Sequence, residues 1–380
     1  MTYRVPICFV LLVALTGCLS TTPTTSTTTS PASSSANRLY NGTASVGDFL
    51  TVTVNSSAQT ISYDDISNGE TGTGIPYTVN ADGSYSIADP AGNLVAGYEV
   101  PGYALLIEAN KMGPSENTMA LVTAVESGQI SLATVAGTYN YMQFRTSIGG
   151  ADVGSVTVGS TSATSTSYWP FGEIAGNNDA FGGQAMPFTG AVEDSSGTFM
   201  TMPDPGGTGN ATIFGTANGF FIVDTANGSI LGLPQASSSA FDSSYAGTYA
   251  GILYEKTNVT PGPGNTEVGT PSFDTVSLAV QASGAVIMTD PAGNTLANGT
   301  LTPVANASYL FNGSGTELTN SCNGLFTFRI NGGGMQKDFF FTFVNNNGTS
   351  AVLFSKFWAP SPWATASTYN YFYGVGLMKP

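Results

Sequence analysis

Nine Asn-Gly pairs, at Asn41, Asn68, Asn218, Asn227, Asn298, Asn312, Asn323, Asn331 and Asn347, punctuate this chain. Both residues of such a pair tolerate a positive φ, which the tight type I′ hairpin turn requires. Between the pairs lie short runs rich in β-branched and aromatic residues. Examples are Phe49-Leu-Thr-Val-Thr-Val54, Phe220-Phe-Ile-Val223 and Phe339-Phe-Phe-Thr-Phe-Val344. Such runs fit a pleated, buried surface. No window of a dozen residues carries a 3.6-residue apolar period with caps. The pattern predicts an all-β, antiparallel body joined mainly by hairpins.

Internal repetition divides that body. Asn80-Ala-Asp-Gly-Ser-Tyr-Ser-Ile-Ala-Asp-Pro-Ala-Gly-Asn93 aligns without a gap on Gln281-Ala-Ser-Gly-Ala-Val-Ile-Met-Thr-Asp-Pro-Ala-Gly-Asn294, and 196–207 is a looser copy. A second marker, Ala136-Gly-Thr-Tyr139, returns as Ala246-Gly-Thr-Tyr249 and as Ala366-Ser-Thr-Tyr369. A third pairs Gly102-Tyr-Ala-Leu-Leu-Ile107 with Gly219-Phe-Phe-Ile-Val-Asp224. The expected architecture is three repeated antiparallel β modules, meander- or barrel-like, in tandem over 38–135, 136–245 and 246–380. A single closed β-propeller is the alternative. The C-terminal stretch from Tyr369 reads as a closing strand that completes a sheet begun earlier and removes an exposed edge.

Upstream of the body, a lone Arg4 precedes an apolar run over 7–15. That run is about half the length needed to span a bilayer, and small residues follow it, the order of a Sec-type signal peptide. Leu15-Thr16-Gly17-Cys18 resembles the lipobox of bacterial lipoproteins. The resemblance implies that 1–17 is removed, that Cys18 carries a palmitate-type lipid anchor in the membrane, and that the protein sits in the cell envelope, at the outer membrane or cell surface. Residues 18–37 then read as the lipidated Cys and a disordered Ser/Thr/Pro tether, too poor in apolar side chains to fold.

Composition narrows the chemistry. Twenty-four acids against nine bases give a net charge of −15, which opposes binding to nucleic acid. Histidine is absent, so Ser-His-Asp and His-ligated metal sites are excluded. There is no Gly-Lys dipeptide for a phosphate-binding loop. No cofactor, metal site or catalytic residue is expected. The Asp of each Asp-Pro-x-Gly element reads as a turn cap, and Cys322, stranded without a partner, as a small buried or half-buried side chain. A carboxylate-pair carbohydrate-active enzyme is the surviving catalytic alternative, although Asp64-Asp65 and Glu193-Asp194 would point to opposite faces of a strand. Tyr168, Trp169, Trp358 and Trp363, in Pro-containing segments read as loops, are candidate ligand-binding rings for a glycan or an envelope protein partner. The expected role is non-catalytic binding or structure in the envelope.

Overall fold

The computed structural model describes residues 36–379, apart from 89–91, 113–117, 146–150, 160–162, 169–182, 187–190, 205–208, 217–218, 227, 262–266, 305–322, 333–334, 347 and 361–368. The first module is an up-and-down meander of β1 (Asn37–Ala44), β2 (Asp48–Asn55), β3 (Thr60–Asp65), β4 (Glu70–Val79), β5 (Tyr85–Ala88), β6 (Leu94–Val100), β7 (Ala104–Met112) and β8 (Thr118–Glu126). β8 pairs back onto β1, with Gly42 opposite Ala124, so the barrel is closed.

The second module comprises β9 (Gly137–Arg145), β10 (Ala151–Val158), β11 (Ala163–Tyr168), β12 (Gly183–Met186), β13 (Val192–Glu193), β14 (Met200–Pro203), β15 (Asn210–Gly215), β16 (Phe221–Thr225) and β17 (Gly228–Pro234). The third comprises β18 (Gly247–Pro261), β19 (Glu267–Val280), β20 (Ala285–Thr289), β21 (Thr295–Thr300), β22 (Thr302–Pro303), β23 (Leu325–Gly332), β24 (Met335–Asn346), β25 (Thr349–Pro360) and β26 (Tyr369–Met378). In each, every strand pairs with its sequence neighbour and the first strand pairs with the last, leaving one seam, at β12/β13 and at β21/β22. The third seam is a corner: only Leu301 separates β21 from β22, and its N–H donates to the Gly284 carbonyl. Strand pairing thus falls into three large sheets, not the four-stranded blades of a propeller.

The closing strand does close: β26 lies between β18 and β25 and completes the third sheet. The tyrosine that opens each later module is used identically. The Tyr139 hydroxyl donates to the Val135 carbonyl at 3.0 Å, and that of Tyr249 to the Tyr245 carbonyl at 2.8 Å. The aligned hairpins at 80–93 and 281–294 also share one turn. Gly83 (φ 84°) and Gly284 (φ 82°) take the left-handed conformation, and their N–H groups bond the carbonyls of Asn80 and Gln281. The first hairpin supplies the fifth strand of its module and the second the third strand, so this repeat marks a hairpin and not an equivalent station in the two sheets.

Packing joins the modules. The first and third modules each enclose an apolar core of their own. A larger core fills the second module and draws in side chains from both neighbours. The run at 339–344 shows how. Phe339, Phe341 and Phe343 point into the third module, while Phe340 and Val344 point into the shared core. A strand buried on both faces reads as a continuous apolar run, and each fully buried Phe contributes about 1.5–3 kcal/mol. Across the joints, Phe49 packs on Phe199 and Phe214 at 4.7 and 5.4 Å, and Phe144 stacks on Tyr373 at 5.2 Å.

Candidate functional site

A cleft of about 770 Å³ opens between the first and third modules. One wall carries Asn80, Asp82 and Ser84 of the first hairpin turn, with Tyr98 and Glu108 beyond them on β6 and β7. The other carries Phe273, Asp274 and Thr275 on β19 and the turn residues Asp290 and Gly293. Both copies of the repeated hairpin therefore face the same space. Among the described residues, Lys379 is the one cation on its lining.

The four carboxylates of the cleft differ in what already holds them. Asp82 accepts from the hydroxyl and the N–H of Ser84, at 2.6 and 3.0 Å, and these bonds keep its carboxyl below the usual range. Asp290 accepts from the N–H and side-chain amide of Asn294, at 2.7 and 2.8 Å, with the same consequence. These two acids cap their turns, as the Asp-Pro-x-Gly motif predicts for Asp290. Glu108 and Asp274 behave oppositely. Burial pushes Glu108 up, against one bond from the Ala96 N–H at 2.8 Å, and Asp274 adds repulsion. Burial also pushes Asp274 up, with Glu255 and Asp290 adding to it and Lys356 opposing. Burial raises the Tyr98 hydroxyl, and the side chains of Thr275 and Ser84, one from each wall, oppose the shift. The arrangement offers acceptors, hydroxyls and aromatic residues, the lining of a site for a hydrophilic ligand.

A second polar cluster is fully engaged. Inside the first barrel, Glu99 has no exposed side-chain surface. It takes two bonds from Arg38, at 2.6 and 2.7 Å, one from the Tyr40 hydroxyl at 2.5 Å and one from the Tyr85 hydroxyl. Both carboxylate oxygens are thus satisfied twice, and the cluster acts as an internal brace.

The residues singled out by sequence fare differently. Tyr168 is the last residue of β11, its backbone opposite Val153. Trp358 lies within β25, opposite Lys337 and Asn370, and not in a loop. The long β24–β25–β26 pairing carries strand through Trp358 as far as Pro360, the first proline of the segment that suggested a loop. Trp169, Trp363, Cys18 and Cys322 lie outside the described residues. Asp65 is buried and accepts from the N–H and amide of Asn68, capping a turn. Asp194 caps the turn at Ser196. Neither belongs to the cleft. Glu108 and Asp274 escaped sequence reasoning because they come from different modules, and no local spacing links them. Among the described residues, no three His, Cys, Asp or Glu side chains are placed to hold a metal ion.

No known family matches the sequence, and no curated protein matches it. The solved structures that are faintly similar include the following two. One is a protein of unknown function of the DUF3598 family from Nostoc punctiforme, 8% identical, over 65% of this chain and 97% of that one, with a TM-score of 0.22. The other is a double mutant of the vaccine antigen transferrin-binding protein B from Haemophilus parasuis, 9% identical, over 88% of this chain and 67% of that one, with a TM-score of 0.23. Neither likeness assigns the chain to a family.

Proposed function

We propose that this protein is a lipid-tethered component of the cell envelope that binds a hydrophilic ligand, without turning it over, in the cleft between its first and third modules. The observation that carries the reading is the cleft itself, lined on both sides by copies of one hairpin and furnished with hydroxyls, carboxylates and the rings of Tyr98 and Phe273. Rings beside hydrogen-bonding groups suit the flat faces and hydroxyls of a glycan. The sequence motif ending at Cys18 supports membrane attachment, with 20–37 as the tether.

Titration of cell-wall glycan fragments into the body, 36–380, tests the binding. Asp274→Asn should weaken the best ligand about tenfold, the loss expected for one hydrogen bond to a charged group, and should leave the melting temperature unchanged. No binding by any fragment would refute the reading. Cys18→Ser should remove the protein from the membrane fraction; an unchanged distribution would refute the anchor. Glu108 and Asp274, both raised in one cleft, also favour carboxylate-pair catalysis as a second reading, and turnover of the bound fragment abolished by Glu108→Gln would select it.

A further inference from the structure

The three modules meet at a buried polar junction. Thr43 and Ser45 come from the end of β1, Asp224 and Ser229 from the β16–β17 hairpin, and Tyr373 from β26, its hydroxyl facing Ser229 and Ser45. The backbones are tightly fitted there. Gly47 (φ 97°) sits so close to the second module that a Cβ would fall 2.3 Å from the Thr225 carbonyl oxygen. Asp224 is 3% exposed, and its Oδ1 lies 2.5 Å from the Thr43 hydroxyl. Among the described residues, the charged groups that act on it most strongly are acids: Asp48 and Asp65 on the first module and Asp204 on its own. Asp48 and Asp65 are buried as well.

We propose that the Asp224 carboxyl is a pH-sensitive latch, which locks the first module to the second when neutral and releases the joint when ionised. An isolated carboxylate in a desolvated joint, facing other acids, is strongly disfavoured. A carboxyl group there keeps its proton and shares a hydrogen bond with Thr43. Burial, followed by repulsion from the three acids, pushes Asp224 well above the usual carboxylate range, and the bond to Thr43 only partly offsets this. The sign follows from linkage. Below the ordinary carboxylate range the closed and open forms both hold the proton. As pH rises, the open form loses it first, so closure weakens steadily until the closed form also ionises.

Hydrogen exchange on the body between pH 6 and pH 9, corrected for intrinsic rates, tests this. The amides of 43–48 and 222–229 should lose protection by up to about tenfold per pH unit, while those of the β24–β25 ladder keep theirs. Asp224→Asn, neutral at every pH, should hold the joint closed throughout. Should that variant fail to fold, the carboxyl ¹³C resonance of Asp224 in the natural chain decides. A neutral signal at pH 7 supports the latch, and an ionised one overturns it. Protection in the natural chain that is flat to pH 9, or lost equally in Asp224→Asn, also overturns it.

Discussion

Glu99 shows what a buried charge requires here. Arg38 and Tyr40 on β1 and Tyr85 on β5 reach it from two other strands of the first barrel, so the ion pair exists only once the barrel has closed. Removing one partner of a buried pair leaves the other uncompensated, at a cost of about 3–5 kcal/mol. Glu99→Ala should therefore lower stability by that amount in denaturant unfolding, and Arg38→Ala by a similar amount. The two together should cost far less than their sum. Glycines carry the other lesson at this scale. Gly69 and Gly324 take the positive φ in their turns, but Asn68 does not, so Asn68-Gly69 is not the type I′ turn that the dipeptide predicts. Asn41-Gly42 and Asn298-Gly299 lie inside strands. There the missing Cβ makes room: at Gly299 it would fall 2.5 Å from the Phe328 ring, and at Gly42 3.0 Å from the Ala124 Cβ. Asn41 turns its amide to the Thr198 carbonyl of the second module at 2.8 Å. Nothing local distinguishes an Asn-Gly that turns the chain from one that accommodates a neighbour.

Hairpins, their turn residues and the closing strand were legible because each depends on residues close in sequence. The tyrosine marker is the clearest case. Tyr139 and Tyr249 open β9 and β18 and bond back four residues in the same way. Tyr139→Phe and Tyr249→Phe should each cost about 0.5–1.5 kcal/mol, and nearly the same amount, because the two bonds have one geometry and both rings are buried. A loss confined to one variant, measured by thermal melts, would show that the two corners are not equivalent. The C-terminal strand was readable as a closing element, but the destination of its second face was not. Tyr373, Val375 and Leu377 line the shared core, while Phe372 enters the third module. Gly374, on the inward face, leaves space for the Phe354 ring, which a Cβ would meet at 2.4 Å. Alternation in sequence identifies two faces without saying what covers each.

At the scale of the molecule, sequence repetition anticipates three sheets, whereas the core they share depends on contacts between distant segments. Phe49, Phe144 and Phe340, from three different modules, belong to one apolar cluster. The cleft has the same origin, since its walls belong to the first and third modules, and it exists only while those modules are held together. Tandem modules with independent cores would melt independently; modules built around a common core melt together. Differential scanning calorimetry of the body at pH 6, where the Asp224 joint is closed, tests this most directly. A single transition with equal calorimetric and van't Hoff enthalpies is predicted. Two or three resolved transitions, each matching one isolated module, would contradict it.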